Sequence, residues 1–223
     1  MVGDATKSRM KSMYNLMYRY AVKYDIVDKN YAELCNSVKV ESKKKKLPFT
    51  TEEVKKLWEY VGEIPFVDMI LIGIYTGFRP NELVKLKIKN VFISDKYIIG
   101  GEKTKAGTDR TVPIHPEILS LIYKRYNEEN EYLFNDWNKL DKGISPLTYD
   151  KYRRKFEKVM TALNMKHSPH ETRHTFITQA KHCNVNDYIL KRIIGHEIGD
   201  VTEQVYTHRT VEDLYKEIIK IEF

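Results

Sequence analysis

The chain has 223 residues, 42% of them hydrophobic and 12% aromatic, which is enough for one substantial domain with a buried core plus a smaller piece. Thirty-eight Lys and Arg against 31 Asp and Glu give a net charge of +7, which favours a polyanionic partner, nucleic acid first. Cys35 and Cys183 lie outside any C-x-x-C spacing, the start MVGDATKSRMK has no apolar signal core, and the apolar run at residues 66–74 is broken by Asp68; a disulfide framework, a cysteine zinc site and a membrane span are therefore excluded, and a soluble cytoplasmic protein is expected.

Met10, Met13, Tyr14, Met17, Ala21 and Tyr24 recur at helical steps and predict a first amphipathic helix that must dock against something. ESKKKKLP, residues 41–48, then reads as an exposed basic linker and places a boundary. Thr50 and Glu53 form a capping box for a helix whose apolar face is Val54, Leu57, Trp58 and Val61, and a second helix runs from about Pro65 to Gly77. After TGFRPNEL the period changes: residues 91–93, 97–103 and 110–114 read as strands of a small antiparallel sheet, with AGTD as the turn between the last two. Helical periodicity returns with Ile118, Leu119 and Ile122, then with Tyr149, Tyr152, Phe156, Val159 and Leu163, then in a helix opened by Ser168-Pro169. Further helices are expected over residues 187–194 and 211–219. The fold class is α+β: a mostly helical domain with a small three-stranded antiparallel sheet, preceded by a helical N-terminal fragment.

Residues 170–174, HETRH, fit two chemistries. As H-E-x-x-H they would hold zinc through His170 and His174 with Glu171 as general base. The extended zinc motif fails, because Ile177 stands where it requires glycine, and Pro169 puts His170 in the first helical turn. His170 and Arg173, one turn apart, instead suit a phosphate, as a proton-transfer group beside a fixed cation. Arg79, between a glycine-terminated helix and a proline, is a guanidinium on a rigid corner; the plain reading is an ion pair with Glu82. Lys103 and Lys105 share one strand face. His196 follows Gly195 at the end of an apolar helix, and Tyr206 comes ten residues later.

In order, TGFRPNEL, EKTKAGTDRTVPI, SPHETRHTFIT and LKRIIGHEIGDVTEQVYTH resemble the tyrosine recombinases, the phage-integrase family, over the region from about residue 47 to the C-terminus. The resemblance implies a site-specific DNA recombinase in which Tyr206 attacks the scissile phosphate and forms a 3′-phosphotyrosyl link. Arg79 and Arg173 would clamp the non-bridging oxygens, Lys103 would protonate the departing 5′ oxygen with Lys105 as its rival, and His170 and His196 would move protons and donate hydrogen bonds. Lys43, Lys44, Lys45 and Lys46 would contact DNA phosphates, the alternative being a solvated tether. The implied partner is double-stranded DNA, bound by a homotetramer on synapsed sites that is monomeric when free, with room for an accessory DNA-bending protein and no cofactor.

A phenol with a pKa near 10 needs a base or a strongly positive site to attack at neutral pH, and two guanidiniums with two imidazoles supply one. The phosphotyrosyl link conserves the energy of the broken phosphodiester, and the chain has no G-x-x-x-x-G-K-[ST] loop for ATP. The resemblance further implies residues 1–40 as the remnant of a core-binding domain, although Tyr31 stands where proline is usual, 41–48 as linker and 49–223 as catalytic domain, in a chain expected to be a fragment. Two other functions are carried: a type IB topoisomerase-like nicking-resealing enzyme and a non-catalytic DNA-binding module. The stripe Val211, Leu214, Tyr215, Ile218 and Ile219 fits either a tail docked on a neighbouring subunit or packing on its own domain.

Overall fold

The computed structural model describes residues 3–36, 47–102, 107–138, 143–197 and 210–223, which fall into two compact units, Met1–Lys45 and Lys46–Phe223. In the first, helix α1 (Asp4–Lys23) buries none of its residues. A 3₁₀ turn, Tyr31–Leu34, follows it, capped by the Asn30 side chain accepting from the Ala32 N–H, with the Tyr31 ring 5.8 Å from that of Tyr18.

The larger unit opens with helix α2 (Thr51–Glu59), whose reciprocal capping box is present: the Glu53 N–H donates to Thr50 Oγ1 at 3.2 Å and the Thr50 N–H to Glu53 Oε2 at 2.9 Å. Helix α3 (Val67–Thr76) begins two residues later than its proline suggests, because Phe66 takes a left-handed conformation as N-cap. Met69, Ile70, Leu71, Ile72 and Ile74 are all fully buried, so α3, apart from Asp68 in its first turn, is apolar on every side and forms the axis on which α2, α5, α6 and α7 pack. Gly77, with φ +64°, ends it in the left-handed conformation that glycine adopts without a Cβ penalty. One short turn on, α4 (Pro80–Leu83) carries proline at its first position.

Strands β1 (Val91–Phe92), β2 (Tyr97–Gly100) and β3 (Arg110–Pro113) form the expected antiparallel sheet in the order β1-β2-β3, with Ile98 opposite Val112 and Gly100 opposite Arg110. The strands are shorter than the alternation suggests. After α5 (Pro116–Arg125) comes a feature with no counterpart in the sequence reading, a hairpin of β4 (Asn135–Asn138) and β5 (Gly143–Pro146). Among the described residues, helices α6 (Tyr149–Ala162), α7 (Pro169–His182), α8 (Asp187–Ile194) and α9 (Val211–Ile218) follow.

Helix α9 packs on β3 and α8 of its own unit: Leu214, Ile218 and Ile221 are buried, the Phe223 ring lies 4.8 Å from Tyr75, and Ile219 faces solvent. Within this single chain, Leu214 and Ile218 of the stripe are thus packed on their own unit. The start of α7 is tied to the start of α2 by His167, which stacks on Phe49 at 3.8 Å and bridges Glu53 at 3.1 Å and Glu171 at 3.2 Å. The buried Phe49 N–H donates to Thr175 Oγ1 at 2.8 Å.

Candidate active site

Three chain corners meet beside the C-terminal end of α3. Arg79 is the N-cap of α4; its Nη1 donates to Glu82 Oε1 at 2.8 Å and its N–H to Glu82 Oε2 at 3.0 Å. The plain reading of this pair as an ion pair is therefore correct, and it also leaves the guanidinium 17% exposed. Arg173, in the second turn of α7, is buried and donates from Nη1 to the Gly77 carbonyl at 2.9 Å and from Nη2 to the Ile194 carbonyl at 2.7 Å. These carbonyls belong to helix ends, where no intrahelical donor remains and negative charge accumulates, so a cation there is doubly favoured. His196 is exposed just past α8, its N–H bonded to the Lys191 carbonyl at 3.0 Å.

Charge couples these groups to one another. Burial first, then the charges of Arg79 and Arg110, push the Arg173 guanidinium down to about 9. Partial loss of water around the ring, and the charges of Arg173, Arg79, Arg110 and Lys181, hold the His196 imidazole below its ordinary range although the residue is exposed. Burial works against ionisation of Glu82, but hydrogen bonds and charge from Arg110, with those of Arg79, reverse it and leave its carboxyl below the usual range. One carboxylate thus bonds two guanidiniums, with the charge of Arg173 also acting on this neighbourhood, an excess of positive charge that an anion would relieve; such a cluster suits a phosphodiester, whose two non-bridging oxygens accept from guanidinium forks.

His170, in the first turn of α7, is exposed, three residues before Arg173 on the same helix. Glu171 is turned away from both exposed histidines of HETRH. It accepts from the Ser168 N–H at 2.6 Å as the N3 residue of a capping box and contacts His167, so it serves to start the helix. Among the described residues no group of three or more His, Cys, Asp or Glu is placed to hold a metal. Lys103, Lys105, Tyr206 and the linker lysines Lys43, Lys44, Lys45 and Lys46 lie outside the described residues.

The residue that sequence reasoning missed is Arg110. It stands at the start of β3, 6% exposed, with Nη2 on Glu82 Oε2 at 2.7 Å, Nε on the Ile193 carbonyl at 2.7 Å, Nη1 on the Gly107 carbonyl at 2.9 Å and its guanidinium 4.8 Å above the Phe78 ring. A basic residue beside a turn normally reads as solvated; only the convergence of α4, β3 and α8 distinguishes this one.

Residues 48–213 match the model of the phage integrase family. The tyrosine recombinase XerA of Pyrococcus furiosus is 31% identical over 173 residues, 74% of this chain and 58% of that protein. The corresponding XerA of Pyrococcus horikoshii is 33% identical over 79% of this chain and 62% of its own length. The chain thus spans about three fifths of these relatives. Among solved structures, the integrase of the Tn1549 transposon in complex with circular intermediate DNA superposes with a TM-score of 0.73 at 21% identity, covering 97% of this chain and 79% of that one. A lambda integrase tetramer bound to a Holliday junction gives 0.66 at 18%, covering 89% and 60%. With more than half of its length matched by the family model and its fold shared with these integrases, the chain belongs to the phage integrase family, the tyrosine recombinases.

Proposed function

We propose that this chain is the catalytic part of a site-specific DNA recombinase that cuts and rejoins DNA strands through a covalent 3′-phosphotyrosyl intermediate, serving integration or excision of a mobile element. The observation that carries the proposal is the convergence of Arg79, Arg173 and His196 at one corner, with Glu82 restraining Arg79. In this reading the two guanidiniums hold the non-bridging oxygens and stabilise the charge that grows on them as the phosphorus becomes five-coordinate. The Tyr206 oxygen attacks, the 5′ oxygen departs with a proton from Lys103 or Lys105, and a 5′-hydroxyl later reverses the attack. His196, disfavoured as a cation, meets the phosphate as a neutral hydrogen-bonding group, and His170 takes part in proton transfer from the first turn of α7.

Residues 1–40 are read as the end of a core-binding domain, 41–48 as the linker that crosses the duplex and 49–223 as the catalytic domain. The working assembly is a homotetramer on synapsed DNA in the cytoplasm, formed from monomers, with an accessory DNA-bending protein as an optional partner. Support for a DNA-bound multimer comes from the structural relatives, one bound to circular intermediate DNA and one a tetramer on a Holliday junction.

The test is covalent trapping. The chain is incubated with nicked genomic fragments, whose cleaved ends diffuse away, and the product is resolved under denaturing conditions. Attachment of DNA to the parent and none to Tyr206→Phe, with noncovalent DNA retention equal in both, is the expected outcome. Retention without any covalent product would reduce the protein to a DNA-binding module, and trapping that survives in Tyr206→Phe would move the nucleophile.

A further inference from the structure

The Arg110 side chain is 4% exposed, and burying a guanidinium costs several kcal/mol unless its donors are well met. Here all three nitrogens are engaged, and each bond goes to a different part of the chain: Glu82 in α4, the Gly107 carbonyl and the Ile193 carbonyl of α8. The backbone is shaped around it. A Cβ on Gly101 would lie 2.1 Å from Arg110 Nη1, and one on Gly195 would lie 3.1 Å from Cδ.

Each anchored segment leads to a group in the proposed chemistry. Glu82 restrains Arg79 through two bonds of its own. Gly101 and Gly107 flank, in sequence, the stretch that contains Lys103 and Lys105, and the Asp109 N–H closes back on the Gly101 carbonyl at 3.3 Å. The Ile193 carbonyl is next to that of Ile194, which receives Arg173 at 2.7 Å, and both precede His196 by two or three residues. Arg110 and Arg173 therefore grip successive carbonyls at the same helix end.

We propose that Arg110 is a positioning residue, a buried guanidinium that holds Arg79, the Gly101 and Gly107 ends of the lysine-bearing stretch and the His196 corner in one frame. What this frame does rests on the recombinase reading; that it exists does not. A lysine cannot replace it, because an ammonium on a flexible stem is a point of charge that does not offer a planar fork to three acceptors in fixed directions. A purely stabilising arginine, by contrast, would on replacement by an apolar side chain lower the melting temperature and leave trapping by the folded protein unchanged.

Two variants, Arg110→Lys and Arg110→Met, the second putting an apolar side chain of similar length in place of the guanidinium and leaving Glu82 to Arg79 alone, are compared with the parent by amide hydrogen exchange, thermal melting and covalent trapping. Faster exchange at residues 107–109 and 194–197 with α3 and α6 unchanged is the expected signature. Trapping on ordinary nicked DNA should fall about 10²-fold, the loss associated with misplacing reacting groups by roughly 1 Å. A 5′-bridging phosphorothiolate, whose sulfur leaves without a proton, should restore part of that loss, because only the contribution of the lysine is bypassed. Exchange that stays at parent rates around 107 and 194, or that rises evenly through the core, would overturn the proposal, as would parent-like trapping by Arg110→Met. A parent chain that traps no DNA would count against the recombinase reading, and the exchange pattern would still decide whether Arg110 holds the frame.

Discussion

Replacing Glu82 by glutamine alters one atom type at the centre of the cluster. The carboxylate accepts three bonds, Oε1 from Arg79 Nη1 and Oε2 from both the Arg79 N–H and Arg110 Nη2. Glutamine keeps the shape but presents an amide NH₂ on one side, so in either orientation a donor faces a donor. The less costly orientation turns the amide oxygen to Arg110 and the NH₂ to Arg79 Nη1, whose partly exposed guanidinium can shift toward water. One charge-assisted bond is lost, two become neutral-acceptor bonds, and Arg110 stays buried without a counter-charge; about 3 kcal/mol is expected, at the low end for removing one partner of a buried pair. For a unit of this size that corresponds to roughly 6–12 °C in melting temperature. The sign of the pH dependence is fixed by the depressed Glu82 pKa. Its contribution is fully present above the ordinary carboxyl pKa of about 4.3 and disappears as pH falls through the lower folded value, while glutamine does not titrate. Urea unfolding of parent and variant at neutral and acidic pH should therefore show a gap that closes on acidification. A gap below about 1 kcal/mol at neutral pH, or one that persists unchanged in acid, would refute the account.

The two hairpin lysines can be separated by leaving group: Lys103→Ala should slow cleavage of ordinary DNA and be largely rescued by a 5′-bridging phosphorothiolate, and rescue confined to Lys105→Ala would transfer the role. Replacing Lys43, Lys44, Lys45 and Lys46 by serine should weaken binding to specific and random DNA alike and flatten the salt dependence by roughly one unit of slope per lost phosphate contact; an unchanged slope would take the linker out of the interface. Because His196 is held below its ordinary pKa by partial loss of water and by cations, a bound phosphodiester should raise it, seen as an upward shift of its imidazole titration by NMR when DNA is added, and a downward shift would contradict the geometry.

Local rules carried much of the fold in the sequence. Thr50 with Glu53 announced α2, Ser168-Pro169 announced α7, and Gly77 and Gly195 marked helix ends, because caps act over a few residues and leave their mark in composition. The β4–β5 hairpin was not legible: NDWN and GISP are rich in residues that strands disfavour, and only pairing of Asp136 with Ser145 and its neighbours holds them extended. The C-terminal stripe was legible as a stripe but not as to its partner, since periodicity says that a face is buried and not against what. In the site, Arg79, Arg173 and His196 stood out by their settings next to glycine or proline or one turn from a histidine. Arg110 did not, because its burial arises from segments 28 and 83 residues away in sequence.

The glycines around Arg110 also constrain how this sequence can drift. A methyl group on Gly195 would meet the Cα of Gly107 at 2.6 Å, and one on Gly101 would meet the Gly107 carbonyl oxygen at 1.9 Å; the obstacles are backbone atoms, which no change of side-chain rotamer moves aside. A second substitution nearby therefore cannot compensate for the first, since each glycine is opposed by another stretch of main chain. Gly3 and Gly62, by contrast, have open space where a side chain would go. In a library of random variants selected for activity, Gly101 and Gly195 should return unaltered while Gly3 varies freely, so that tolerance at glycine positions traces the close approach of three backbone segments around a single guanidinium.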